Sequence, residues 1–319
     1  MAQVSEMEGR TRGLAPRCPR LLAFAEQWFD LPVGSFPFAS RFLQINNLQL
    51  HFIDEGRGPP LFMLHGNPTW SFQFRHLIRA LRRSYRCIAL DLPGFGLSGA
   101  PPGFSFRPSD IATLVAAAMR ALDLRDATLL AQGWGGPIGL AAMASEEGRV
   151  GRIVFGNTWA WPVDGDFHFE WFSKLVGGPL GRALGTHSLV SLNLRSARRG
   201  LSAADRLAYQ APFVAKARRA PLHVLPAELL RSSAWLAEVE RTGARFTGPA
   251  LLLWSDDDAV FRRRELDRWR QMWPQAQVEP VAHGGHSPWE EAPDACLAAL
   301  RPFLQLNAPT STMEHRHAI

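Results

Sequence analysis

Short apolar runs that alternate with amphipathic segments place the strongest limit on how this chain can fold. The apolar runs, typical of buried strands, span residues 61–64, 86–92, 127–132, 152–156, 250–254 and 277–281. The segments with helical spacing of apolar residues span 71–83, 109–122, 137–146, 263–273 and 294–304. This alternation predicts an α/β fold with a mostly parallel, doubly wound sheet that binds ligands at the carboxyl ends of its strands.

The same pattern divides the chain into segments. Residues 42–53 alternate apolar and polar around Asn46-Asn47, which predicts a hairpin ahead of the parallel strands. After the sixth strand the alternation stops, and helical segments without a buried strand predict an inserted helical cap. The predicted division is an N-terminal extension at 1–35, a core at 36–157 and 248–305, the cap at 158–247, and a C-terminal tail at 306–319.

Charge and cysteine usage exclude several classes of function. The 35 basic and 29 acidic residues give a net charge of +6, but the arginines are interleaved with carboxylates and accompany no nucleic-acid module. No apolar run approaches the ~18 residues of a membrane span. Cys18, Cys87 and Cys296 form no CxxC pair, which favours a reducing cytoplasm without disulfides or zinc. We therefore expect a cytoplasmic protein that needs no cofactor and binds neither nucleic acid nor membrane. We also expect no metal site, and this includes the two tail histidines, His315 and His317.

Residues 129–137, Leu-Leu-Ala-Gln-Gly-Trp-Gly-Gly-Pro, turn from an apolar strand through small residues into a helix. This is the pattern of the sharp elbow that holds a catalytic nucleophile above a parallel sheet. The residue at the centre of the turn is Gly133, which has no side chain with which to attack a substrate.

Other residues with suitable chemistry follow neighbouring strands. His286, in Gly-Gly-His-Ser-Pro, is the predicted base, and it needs a carboxylate to fix its tautomer. Of three adjacent aspartates, Asp258 precedes an apolar segment and is the predicted acid, whereas Asp256 and Asp257 are expected in a solvated turn. The main-chain N–H groups of Asn67 and Trp134 are predicted to form an oxyanion hole, and their side chains supply neutral donors suited to a halide.

Six segments together resemble the haloalkane dehalogenase family, whose members have the α/β-hydrolase fold. They are HGNPTWSFQFR from His65, DLPGFGLSG from Asp91, QGWGGPIGL from Gln132, GNTWAWP from Gly156, LLWSDDDAVF from Leu252 and GGHSPWEEAPD from Gly284. The similarity runs from about Phe36 to Leu304. It is strongest to the third subfamily, which includes the β-lactone decarboxylases of bacterial olefin synthesis.

The resemblance implies a role for each matching position. Asn67 and Trp134 match the family's halide-stabilising pair, His286 matches its base, and Asp258 matches the acid that orients the base. The family attacks carbon with an Asp carboxylate and hydrolyses the resulting ester with water. That carboxylate belongs at Gly133, where this chain has none.

A glycine at the elbow removes covalent chemistry without disturbing the turn, since glycine accepts strained backbone conformations readily. Gln132 is a poor nucleophile, and strand alternation predicts that its side chain points away from the Gly133 side. Asp91 ends the fourth strand, but the family motif does not use it as an attacker. A water activated by His286 and Asp258 is the better substitute and suits an activated ester or lactone.

Three functions remain open from the sequence. The first is a hydrolase of dehalogenase type, impaired or altered at Gly133. The second is a water-mediated ester or β-lactone hydrolase or decarboxylase that uses His286 and Asp258. The third is a non-catalytic protein that binds a small apolar ligand under the cap, whose aromatic residues are expected to line the pocket. Those residues are Trp159, Trp161, Phe167, Phe169, Trp171 and Phe172.

Overall fold

One eight-stranded sheet organises the molecule. The computed structural model describes residues 24–179, 181, 190 and 201–307. The strands are β1 Ser40–Ile45, β2 Leu48–Glu55, β3 Pro60–Leu64, β4 Arg86–Leu90, β5 Ala127–Gln132, β6 Val150–Gly156, β7 Ala250–Trp254 and β8 Gln277–Pro280. Their order is β1-β2-β4-β3-β5-β6-β7-β8, in which β1, β2 and β4 pair antiparallel and β3 to β8 run parallel. The predicted α/β fold with a mostly parallel sheet is confirmed.

Helices follow the parallel strands, as the alternation predicts. They are α1 Phe24–Trp28, α2 Arg75–Leu81, α3 Pro108–Ala121, α4 Gly135–Ala144, α5 Phe167–Gly177, α6 Ala203–Gln210, α7 Ala220–Arg231, α8 Ser233–Gly243, α9 Arg263–Met272, α10 Pro288–Glu291 and α11 Pro293–Leu306. Short 3₁₀ turns span Ser71–Phe74, Ala211–Phe213 and Lys216–Arg218. The predicted helix at 71–83 is therefore a 3₁₀ turn that continues into α2.

The central strands explain why the sheet core is stable. Every residue of β5 and of β7 is buried, and β5 pairs with β3 on one side and β6 on the other. Continuous apolar side chains are covered on both faces by helices, which removes most of their surface from water. This arrangement brings the ends of β3, β5, β6 and β7 to one edge of the sheet.

Helices α5 to α8 lie between β6 and β7 in the chain, and the described part of this stretch contains no strand. Residues 180, 182–189 and 191–200 of it are outside the described residues. The treatment of 158–247 as a separate cap stays a prediction, as do the other segment boundaries. Cys18, residues 1–23 of the predicted extension, and the tail with His315 and His317 are also outside the described residues.

The described helices include none that is both long and apolar enough to cross a bilayer. Within the same residues, no cluster of three or more His, Cys, Asp or Glu side chains is arranged to hold a metal ion. Cys87 and Cys296 are buried free thiols, and burial raises the pKa of each to about 12.

Candidate active site

The predicted site residues meet where three loops leave the sheet. The loop after β3 carries Asn67, the turn from β5 to α4 carries Gly133 and Trp134, and His286 follows β8. These four residues line one cavity of about 40 Å³, which is room for only a few water molecules. A larger surface groove of about 360 Å³, bordered by Trp161 and Arg268, contains none of Asn67, Gly133, Trp134, Asp258 and His286.

The elbow at Gly133 is held from both sides. Its N–H donates to the Asn157 carbonyl at 3.2 Å, and its carbonyl accepts the Thr158 hydroxyl at 2.6 Å. Gly133 has φ of +53°, the left-handed region in which side chains are strained. A Cβ built there would meet only the Gly66 Cα, at an ordinary contact distance of 3.5 Å. A Cβ at the elbow would therefore make no steric overlap with the described residues.

His286 and Asp258 form a buried pair. The His286 Nδ1 lies 3.0 Å from Asp258 Oδ2 and 3.2 Å from Oδ1, and the two residues are 9% and 4% exposed. Nδ1 therefore carries a proton that it donates to the carboxylate, which leaves Nε2 as the lone-pair nitrogen of the neutral ring. Asp256 and Asp257 are exposed, as expected for a solvated turn.

Asn157, which follows the last residue of β6, is a further hydrogen-bond partner of Asp258. Its amide Nδ2 donates to Asp258 Oδ2 at 2.9 Å, and the N–H of Val260 donates to Oδ1 at 2.7 Å. Asn157 also accepts from the N–H of Ser255, so it fixes the loop that carries the acid. The sequence interpretation missed this role, although Asn157 stands inside the quoted GNTWAWP segment.

Burial and charge act in opposite directions on His286. Burial lowers the pKa of its imidazole, whereas the charge and hydrogen bond of Asp258 raise it, and the net shift is upward. Glu291, in α10, lies close enough to interact with this pair and accepts the N–H of Ser287 at 3.0 Å. Burial raises the pKa of Glu291 from its ordinary 4.5 to about 7.

Glu291→Gln is expected to change how stability depends on pH. The folded state holds the Glu291 proton more tightly than the unfolded state, so the free energy of unfolding falls as pH rises from about 4.5 to about 7. Glutamine keeps the acceptor for Ser287 but has no proton to lose, so the variant should gain stability over the wild type across this window, by ~3 kcal/mol at most. Urea denaturation at several pH values measures the difference. A constant difference between the two proteins across the window would show that Glu291 does not titrate in this way.

The loop that carries Asn67 is fixed by a buried histidine. His65 Nδ1 donates to the Gly66 carbonyl at 2.7 Å, and its Nε2 accepts the N–H of Leu92 at 2.9 Å. Burial lowers the pKa of His65, which keeps the ring neutral for both bonds. Within residues 24–179 and 201–307, the main-chain N–H groups of Asn67 and Trp134 donate to no protein acceptor. Two donors are thus available to a bound oxyanion or halide.

Gln132 and Asp91, the two candidates for replacing the nucleophile, differ in position. Asp91 does not line the cavity, and its carboxylate accepts from the His51 ring at 2.7 Å and from the N–H of Ser71 at 2.7 Å. It is a buried structural group. Strand alternation predicts that the Gln132 side chain points away from the Gly133 side. In the structure its amide instead reaches the ring of His286, which lines the cavity. Strand alternation fails here since the backbone turns sharply at the next residue.

Three of the six expected aromatic residues line the cavity, namely Trp159, Phe169 and Phe172. Trp161 lies instead on the surface groove, and Phe167 and Trp171 are 81% and 56% exposed. Further apolar walls come from Pro226, Leu229, Val260 and Phe261. Phe261 stacks on the His286 ring, with centroids 5.5 Å apart and an interplanar angle of 24°. The His286 ring therefore lies against an apolar wall.

Comparison with known proteins agrees with this architecture. A sequence profile of the alpha/beta hydrolase fold matches residues 59–293. Haloalkane dehalogenase 2 of Mycobacterium tuberculosis is 33% identical over 83% of this chain and 94% of its own length. Cis-3-alkyl-4-alkyloxetan-2-one decarboxylase of Shewanella oneidensis is 31% identical over 84% of this chain and 89% of its own.

A solved structure extends the likeness. The crystal structure of haloalkane dehalogenase DbeA from Bradyrhizobium elkani superposes with a TM-score of 0.74 and 25% identity, over 84% of this chain and 98% of that one. Sequence and structure thus agree over nearly the full length of the relatives. The chain belongs to the α/β-hydrolase fold family and is a haloalkane dehalogenase-like hydrolase.

Proposed function

We propose that this protein hydrolyses a small apolar ester or β-lactone by direct attack of water, without a covalent intermediate. The observation that carries the proposal is the arrangement around Gly133. His286, which is paired with Asp258, lines the same cavity as Asn67 and Trp134, whose main-chain N–H groups have no acceptor among the described residues. Gly133 borders this cavity without a side chain. A nucleophilic water fits the role of the missing carboxylate.

The reaction requires four groups of this chain. The His286 Nε2 takes a proton from water as the water oxygen bonds to the carbonyl carbon, and Asp258 stabilises the imidazolium that forms. The N–H groups of Asn67 and Trp134 stabilise the negative oxygen of the tetrahedral intermediate. When the ester C–O bond breaks, His286 returns the proton to the departing alkoxide oxygen, which becomes an alcohol.

Displacement of halide from an alkyl carbon is far less favourable in this site. That reaction needs a strong nucleophile at the carbon opposite the halide, and loss of the nucleophile in a well-studied hydrolase costs on the order of 10⁶ in turnover. Water with one general base is a weak replacement at saturated carbon. We therefore infer that dehalogenation is impaired in this protein.

The decarboxylase relative favours a β-lactone over an open ester as the substrate, since its name describes an oxetan-2-one, the ring of a β-lactone. The cavity is small and mostly apolar, so a small apolar molecule is the proposed partner. A non-catalytic ligand-binding protein would have no use for a buried His286–Asp258 pair, which speaks against that alternative.

His286→Ala is expected to reduce hydrolysis of p-nitrophenyl acetate and β-butyrolactone by about 10²- to 10⁴-fold, the usual contribution of a positioned general base. Product formation by the purified full chain measures the effect. His283→Ala is the matched control, because His283 lies three residues earlier in the same loop and is exposed. Equal rates in the two variants would exclude His286 as the base.

A further inference from the structure

The side chain of Gln132, the last residue of β5, lies against the base. It is 1% exposed, and its amide Nε2 lies 2.8 Å from the backbone carbonyl oxygen of His286. The same nitrogen lies 3.2 Å from the ring Nε2 of His286. One amide group therefore contacts both the main chain and the imidazole of a single residue.

The carbonyl contact fixes which way the amide faces. An amide nitrogen donates to a carbonyl oxygen, whereas the flipped amide would place two acceptor oxygens 2.8 Å apart with no proton between them. The NH₂ group has two hydrogens, so it can donate one to the carbonyl and the other to the ring. The orientation of the amide therefore follows from hydrogen-bond chemistry.

The protonation state of the ring decides whether the second contact is favourable. Asp258 holds the proton of His286 on Nδ1, so Nε2 of the neutral ring is an acceptor and the Gln132 N–H can donate to it. In the imidazolium, Nε2 carries a hydrogen that would face the same N–H. The Gln132 amide thus favours the neutral ring.

The charged groups around His286 act in the opposite direction. Asp258, from the loop after β7, and Glu291, in α10, both favour the imidazolium when they are ionised. Phe261 covers the ring with an apolar face and adds no charge. Gln132 is the side chain whose hydrogen bond to Nε2 opposes the two carboxylates.

We propose that Gln132 is a positioning residue that favours the neutral form of His286 over the imidazolium and promotes return of the proton to the leaving group. The ring contact, at 3.2 Å, is longer than the carbonyl contact, so a water that donates to Nε2 can replace it while the amide stays anchored. After proton transfer, the N–H of Gln132 faces the new Nε2–H and disfavours the imidazolium. The proposal rests on the proposed role of His286 as general base.

Gln132→Met tests the proposal because methionine has a similar length and no amide. Histidine labelled with ¹⁵N in the full chain is titrated by NMR, and the His286 signal is assigned by its loss in His286→Ala. At a fixed pH near the midpoint, the ratio of neutral to protonated His286 should fall about threefold to tenfold in the variant, the usual worth of one hydrogen bond. Gln132→Glu should lower this ratio further, since a carboxylate accepts from the imidazolium.

Gln44→Met serves as the control, since the exposed amide of Gln44 donates to the nearby Asn46 carbonyl, far in sequence from His286. Its His286 titration should match the wild type. Unchanged His286 titration in a folded Gln132→Met protein would overturn the proposal. The NMR signal reports the ring whether or not a substrate is hydrolysed, so this outcome is separate from failure of the proposed hydrolysis. In the activity assay, the acidic limb of the pH–kcat/KM profile should move upward with the NMR midpoint.

Discussion

Gly133→Asp is expected to turn this protein into a dehalogenase that releases bromide from short bromoalkanes at least ~10³-fold faster than the wild type. Among the described residues, a Cβ at position 133 meets the Gly66 Cα at an ordinary contact distance of 3.5 Å, and the position borders the cavity. His286 and the donors at Asn67 and Trp134 already line the same cavity. The φ of +53° makes any side chain here strained, and we expect the variant to lose ~1–3 kcal/mol of stability.

The ester intermediate can be trapped to identify the nucleophile. In Gly133→Asp combined with His286→Ala, hydrolysis should stop at the alkyl ester of residue 133, which mass spectrometry of the intact protein and its peptides detects. Gly133→Asn is the matched control, since it has nearly the same size and backbone strain but no carboxylate. A folded Gly133→Asp protein that releases no bromide and forms no adduct would refute the dehalogenase-like interpretation of the cavity.

Glu290→Leu is expected to reduce the free energy of unfolding by ~3–5 kcal/mol, because it leaves a buried arginine without its main partner. Arg75 Nη2 lies 2.6 Å from Glu290 Oε1 and 2.9 Å from Asp205 Oδ1. The Tyr209 hydroxyl donates to the other Glu290 oxygen at 2.6 Å. Arg75 and Glu290 are 4% and 8% exposed, so water cannot replace the lost contacts.

Because this cluster lies next to the His286 loop, Glu290→Leu is expected to affect hydrolysis as well as stability. Glu290 lies four residues after His286, and Asp205 and Tyr209 belong to α6, in the stretch between β6 and β7. The cluster therefore connects the segment that follows His286 to helix α6 and to Arg75 at the start of α2. We expect His286-dependent hydrolysis to fall along with stability.

A double variant distinguishes the cost of leaving one buried charge unpaired from a general disruption of packing in the cluster. Arg75→Met combined with Glu290→Leu removes both charges, and it should recover part of the stability that Glu290→Leu loses. Asp267→Ala breaks the ion pair between Arg263 and Asp267, whose side chains are 62% and 50% exposed. This variant should change the free energy of unfolding little. Urea denaturation of all four proteins measures these differences. Equal losses from the buried and the exposed pair would contradict the account of the cluster.

The sheet and the elbow could be predicted from the sequence because both depend on local patterns. The runs 127–132 and 250–254 are strands with the predicted bounds, since continuous apolar residues have few other stable environments. The helix after the elbow begins at Gly135, two residues before the predicted start. A Cβ at Gly135 would lie 2.4 Å from the Leu64 carbonyl, so close packing on β3 sets this residue more than helix propensity does.

The meeting of His286 with Asp258 could be anticipated because parallel strands end at one edge of the sheet. The contacts of Gln132 and Asn157 could not, since they depend on how the chain turns after each strand. The helical spacing of the aromatic residues in α5 would have separated those that line the cavity from those that face solvent, whereas their aromatic character alone could not. Phe169 and Phe172, three residues apart, share the face that lines the cavity, whereas Phe167 and Trp171 share an exposed face.

The most direct test of His286-assisted hydrolysis at the carbonyl carbon is the reaction of a single enantiomer of β-butyrolactone in ¹⁸O-labelled water. Attack at the carbonyl carbon places the label in the carboxylate of 3-hydroxybutyrate and retains the configuration at the hydroxyl carbon. We expect this product from the wild type and its loss in His286→Ala. Label in the hydroxyl group with inversion, formation of propene and carbon dioxide, or a rate independent of His286 would contradict the account.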